Sequence, residues 1–162
     1  MKILLKSAII VVTLLIQLTL INSITILGLK PDLIMVVIVV FSLLKGEKEG
    51  TISGFASGLL QDIFSTGLLG INALAKTVIG FICGILKEKI FHEHILFLIP
   101  VITFIASITQ SILIFLLLRA FGIEYGLAWS LKQVALPEAL YSSLVSPFVF
   151  LAINKLFQLI KE

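Results

Sequence analysis

The sequence predicts an all-α membrane protein built as a bundle of six transmembrane helices. Three observations carry that prediction. Of 162 residues, 59% are hydrophobic and only 13% charged, whereas a soluble globular domain has roughly 45–50% and 25%. The mean hydropathy is +1.21. The apolar residues fall in six runs, several of them close to the ~20 residues that a helix needs to cross ~30 Å of hydrocarbon. These runs lie at about residues 7–27, 31–44, 50–65, 70–87, 95–119 and 134–158, and together they read as one integral membrane domain over residues 1–162.

The first run, in MKILLKSAIIVVTLLIQLTLINS, resembles a signal sequence, with Lys2 and Lys6 ahead of the apolar stretch. No small-x-small cleavage site follows it and further spans come after, so it reads as an uncleaved first helix. No lipidation or retrieval pattern accompanies it. The second run opens on Pro31, at a first-turn position where a missing N–H does no harm. Asp32 beside it favours a helix N-terminus electrostatically. The second and third runs are short for a full crossing and rely on interfacial residues, bilayer thinning or burial among neighbours.

In the third run, Gly50, Gly54 and Gly58 fall on one helix face, widened by Ser53 and Ser57. In lipid such a strip lets another helix approach closely, because association there depends on packing. Gly80 and Gly84 give the fourth run a second small-residue strip. Asp62 stands about one turn before the turn at residues 65–69 and Lys76 about two turns after it, so an antiparallel hairpin places them at similar depth. A charge at a helix centre costs about 2.5–3.5 kcal/mol on insertion scales. The expectation is an intramembrane ion pair between Asp62 and Lys76, with Asn72 as a hydrogen-bonding neighbour. The alternative has Lys76 snorkelling outward while Asp62 reaches water near the turn.

Pro100 falls in the first turns of the fifth helix, and Pro147 in the middle of the sixth, which it is expected to kink. Pro137 and Glu138 mark the outer entry of the sixth helix. The short loops KGEKE and KEKIFHEH lie on one side. The longer segment at about residues 120–133, with Glu124, Tyr125, Trp129 and Lys132, suits a helix at the headgroup level. With both termini inside, Lys2, Lys6, Lys45, Lys48, Lys87, Lys89, Lys155 and Lys161 are cytoplasmic, while Lys30, Arg119 and Lys132 face outward. That asymmetry favours a multi-pass protein with both termini in the cytoplasm.

Other function classes have little to rest on. The net charge of +3 is scattered over the ends of apolar runs and forms no nucleic-acid stripe. Cys83 is the sole cysteine, which excludes an intrachain disulfide and any CxxC site, and it reads as a small apolar packing residue. His92, Glu93 and His94 lack the HExxH spacing of a metal site and read as a solvated loop. No nucleophile–base set is visible, and no cofactor is expected. Gln17, Asn22, Gln110 and Asn154 can hydrogen-bond between helices, each contributing about 0.6–2 kcal/mol.

The run PDLIMVVIVVFSLLKGEKEGTISGFASGLLQDIFSTGLLGINAL resembles the MreD family of bacterial rod shape-determining proteins. The residues that carry the resemblance are Pro31, Asp32, the basic loop after Leu44, Gly54, Gly58, Asp62 and the turn with Ser65, Gly67 and Gly70. Ala73 and Leu74 follow that turn. The motif match covers residues 31–74, and the rest agrees in hydropathy. The resemblance implies a non-enzymatic inner-membrane component of the cell-elongation machinery. Its partners would be MreC, MreB filaments, RodA and a penicillin-binding protein, with membrane lipid around the bundle. It also implies a fold similar to the S components of energy-coupling-factor vitamin transporters. Two readings follow: an assembly scaffold whose glycine-faced helices bind a partner's helix, or a vitamin-binding S component. The first helix, SAIIVVTLLIQLTL, lacks the Ala-xxx-Ala strip typical of S components. Arg119, Glu124, Glu138 and Tyr141 are the residues available for an outward pocket.

Overall fold

A computed structural model describes residues 2–19, 31–65, 67–89, 95–123 and 135–159, with side chains described from Ser7 onward. It contains six α-helices and no strand among those residues. They are α1 (Lys2–Thr19), α2 (Leu33–Lys45), α3 (Glu47–Phe64), α4 (Ile71–Leu86), α5 (Ile95–Ala120) and α6 (Leu136–Leu159), with a 3-10 turn at Lys87–Lys89 after α4. Each expected run holds one helix, although α1 begins at Lys2. Lys30, the tract His92, Glu93 and His94, and the segment with Glu124, Tyr125, Trp129 and Lys132 lie outside the described residues.

Helix α2 forms the centre. Its sequence LIMVVIVVFSLLK is apolar on every side, and a helix of that kind is stable only when surrounded. Met35, Ile38, Val39 and Val40 are fully buried, and α2 packs against all five other helices. The main core joins Met35, Val39, Phe41 and Leu43 of α2 to Ile79 and Cys83 of α4, Ile99 of α5 and Phe150 of α6. Gly46 alone connects α2 to α3, with φ +97°. At that φ a side chain would collide with its own backbone, which is why glycine stands there. The expected KGEKE loop therefore shrinks to one residue, and Glu47, Lys48 and Glu49 form the first turn of α3.

The closest helix pair is α3 with α4. Gly50, Gly54 and Gly58 all turn towards α4, and a Cβ at Gly58 would stand 2.6 Å from the Ala73 Cα and the Asn72 carbonyl oxygen. At Gly54 a Cβ would stand 2.8 Å from the Lys76 carbonyl carbon. From the other side, Gly80 abuts the Gly50 backbone and Gly84 the Glu47 backbone. The two strips face each other. The strip expected to receive a partner's helix is covered by α4.

Helix α6 runs unbroken through Pro147. Proline cannot donate to the carbonyl four residues back, that of Ser143. The Ser146 hydroxyl donates to that carbonyl instead, at 2.7 Å, a substitution available to serine inside a helix bundle.

The distribution of polarity is inverted relative to a soluble protein. Phe97 and Phe148 are 80% and 73% exposed, with Phe64 and Leu144 also outward, while Asp32, Asp62, Lys76 and Gln110 are buried. Exposed apolar area on this scale belongs against lipid. Helices α5 and α6 are each long and apolar enough to cross a membrane.

Candidate functional site

Helices α2, α4 and α6 begin at the same end of the bundle, and the polar residues gather there. Asp32 is the N-cap of α2, its carboxylate accepting from the Met35 N–H at 2.9 Å. The expected first-turn position of Pro31 is not realised: α2 starts at Leu33, Pro31 precedes it, and Asp32 supplies the acceptor that free helix N–H groups require. Lys76 lies about a turn and a half into α4. Because Cα–Cβ bonds lean towards a helix's N-terminus, its ammonium reaches back to this end and forms an ion pair with Asp32 Oδ2. Lys76 is 0% exposed.

Gln110 of α5 bridges the pair. Its Oε1 accepts from Lys76 Nζ at 3.0 Å, and its Nε2 donates to Asp32 Oδ2 at 3.1 Å. From α1, Gln17 Oε1 accepts from the Ile34 N–H at 3.1 Å, with its Nε2 3.5 Å from Asp32 Oδ1. The Ser142 hydroxyl of α6 accepts from the Asp32 N–H at 3.0 Å. One residue thus joins five helices, four through its carboxylate and α6 through its backbone N–H. A buried ion pair is sustained only when its remaining donors and acceptors are also used, and both oxygens of Asp32 are.

The expected pair between Asp62 and Lys76 is not formed. Asp62, 1% exposed, caps α4 from across the hairpin. Its Oδ2 accepts from the Gly70 N–H at 2.9 Å and the Ala73 N–H at 3.0 Å. Its Oδ1 accepts from the Asn72 N–H at 3.2 Å and Asn72 Nδ2 at 2.8 Å. The N-cap of α4 is Gly70, which has no side chain to offer. The orphan donors and positive end of α4 therefore attract the nearest carboxylate. Asp62 meets the start of α4, about one turn short of Lys76. Gly70 holds φ +97° at this corner, and Gly67 is exposed in the turn, its N–H 3.4 Å from the Ser65 hydroxyl.

This geometry sets a first prediction. Asp62→Ala leaves three backbone N–H groups and the Asn72 amide without their acceptor. Only the Ala73 N–H bond is fully buried, the other three being part-buried and open to water. With a buried orphan costing on the order of 1–3 kcal/mol and the others less, stability in an SDS titration of the purified protein should fall by about 2–4 kcal/mol. Asp62→Asn keeps one acceptor oxygen and should lose roughly half as much. An alanine variant as stable as the parent would exclude the cap.

Beside the ion pair lies a cavity of about 290 Å³. Its polar lining comprises Asp32, Gln61, Asn72, Gln110, Ser111 and Glu138, and Ile114, Phe115 and Leu118 of α5 form its apolar wall. Of the residues available for an outward pocket, Glu138 lines it, while Arg119 and Tyr141 do not. Among the described residues no cluster of His, Cys, Asp and Glu could hold a metal. Gln61, Asn72 and Ser142 were not assigned to a pocket or hub by sequence. Gln61 carried a signal, as a second polar residue beside Asp62 at the end of an apolar helix.

The residues that carried the family resemblance converge structurally. Pro31 and Asp32 open α2 at the hub, Gly54 and Gly58 seat α3 on α4, and Asp62, Gly67 and Gly70 close the hairpin. No characterised protein and no solved structure matches the chain. A sequence model of the family described as rod shape-determining protein MreD matches residues 1–160 of the 162, and the chain accordingly belongs to the MreD family.

Proposed function

We propose that this protein is a non-enzymatic scaffold of the cell-elongation complex, holding MreC in the membrane and helping couple MreB filaments to peptidoglycan synthesis. The observation that carries the reading is the family match over residues 1–160, which assigns a role in rod shape determination. The physical build supports it. Three buried charged residues, Asp32, Asp62 and Lys76, are spent on internal caps and pairing, and the outward faces are largely apolar, a composition suited to holding helices in lipid. In this reading all six helices lie in the bacterial inner membrane as one domain with both termini cytoplasmic, and RodA and a penicillin-binding protein join the assembly. The polar hub and its cavity then sit at the outer end.

A second reading, a substrate-binding S component, draws on the cavity at that end. Its volume stands at the lower limit of the ~300–1,000 Å³ usual for small-molecule sites. Purification of the tagged protein in mild detergent, with mass spectrometry of what it retains, separates the two. The scaffold reading expects MreC and penicillin-binding partners. Retention of an ATPase module or a tightly held vitamin, without MreC, would replace it with the transporter reading.

A further inference from the structure

We propose that the cavity at the common start of α2, α4 and α6 is a binding site for a cationic hydrogen-bond donor, an ammonium or guanidinium group. The inference goes beyond the scaffold reading and does not depend on it. It follows from the charges and hydrogen bonds left over once the internal network is complete.

The charge does not balance. Asp32 and Lys76 cancel each other in their ion pair. Glu138 remains: it lines the cavity and makes no hydrogen bond or ion pair among the described residues. A carboxylate facing a low-dielectric cavity is costly unless it is paired.

Much of the unused hydrogen-bonding capacity is acceptor oxygen, beside the unused amide N–H groups of Gln61. Asn72 spends its Nδ2 on Asp62 at 2.8 Å, which leaves its Oδ1 as an acceptor. Ser111 donates its hydroxyl hydrogen to the Ser107 carbonyl at 3.1 Å and keeps its lone pairs. The side-chain oxygen of Gln61 is buried without a partner. Both ends of the Gln110 amide are occupied by Lys76 and Asp32. Among the described residues the cavity therefore offers acceptor oxygens and one unpaired carboxyl group, and the group that complements both is a positive one with donors to give. Ammonium and guanidinium are the two common groups of that kind. An anion would meet Glu138 and Asp32, and an apolar occupant would leave Glu138 unpaired.

Size narrows the class. At ~30 Å³ per water, 290 Å³ holds the equivalent of roughly ten waters, which suits one side-chain-sized group. The wall of Ile114, Phe115 and Leu118 suits its alkyl stem. The group can belong to a free amine or to a Lys or Arg side chain of an associated chain, and the chemistry at Glu138 is shared.

The test uses the full chain in nanodiscs of zwitterionic lipid. Unfolding is followed by reaction of a thiol dye with Cys83, the sole cysteine, which is buried. Butylammonium and butylguanidinium chlorides are titrated beside sodium chloride, butanol and butyrate. The expected result is a saturable rise in melting temperature with the two cations only. Their half-saturating concentration should rise at least about tenfold in Glu138→Gln, since a hydrogen bond to a charged group contributes about 1.5–3 kcal/mol. Gln61→Leu, which breaks no hydrogen bond in the described structure, should weaken binding in the same direction. Equal responses to cation and butanol, no saturable response, or unchanged affinity in both variants would overturn the proposal. Protein purified with its native partners separates the sources. A response suppressed by a bound partner assigns the cation to that partner's side chain, and an undiminished one assigns it to a free amine.

Discussion

Lys76→Met should lower stability by about 3–5 kcal/mol, the usual cost of removing one partner from a buried ion pair, and adding Asp32→Asn should restore much of that loss. The single change leaves the Asp32 carboxylate among five helices with Gln110, Gln17 and the Met35 N–H but no cation. The double change leaves a neutral amide in the same place. Placed in a four-protein cycle by SDS titration, Asp32 and Lys76 should show a coupling energy of about 2 kcal/mol or more, within the range for residues sharing a network. A parallel cycle of Asp62→Ala with Lys76→Met should be close to additive, because Asp62 serves the N–H groups of Gly70, Asn72 and Ala73. Coupling in the second cycle and none in the first would return the lysine to the hairpin and remove the hub.

The contrast between those cycles marks what sequence could and could not reveal. Helix positions were legible because an apolar run is a local property. The attraction of Asp32 to a helix N-terminus was legible for the same reason, but its place as N-cap, with Pro31 ahead of the helix and not in its first turn, was not. The central place of α2 was not legible: its shortness pointed to burial among neighbours, whereas the glycine-rich hairpin of α3 and α4 looked like the centre of the bundle. The partner of Lys76 was not legible. It lies 44 residues away, on a helix whose adjacency to α4 depends on how the whole bundle packs. Proximity in sequence favoured Asp62, and what overrode it was the absence of a side chain at Gly70, which left the start of α4 open to that carboxylate. Glu138 was visible as an acidic residue at a helix entry. Its place beside Gln61 and Asn72 needed the fold, because those three residues come from three different helices.

Gly54→Ala should cost about 3 kcal/mol, the upper end of the overpacking range, because the added methyl would overlap the Lys76 carbonyl oxygen of α4. The obstacle is backbone, which cannot rotate away as a side-chain tip can. Relief therefore requires α3 and α4 to separate, which also strains the Asp62 cap and shifts Lys76 relative to Asp32. Gly67→Ala supplies the control, since its Cβ would meet nothing closer than the Ser65 hydroxyl at 3.6 Å, and an exposed change of that kind stays within about 0.5 kcal/mol. The same pair of variants decides what the glycine strip does for assembly. With the strip covered by α4, retention of MreC should fall only as fast as the folded fraction falls, across Gly54→Ala and the bulkier Gly54→Leu. Retention lost from a variant that still melts like the parent would mean that α3 offers this face to another chain. Retention that tracks folding makes the strip an internal seam, and leaves partner contact to surfaces that α4 does not cover.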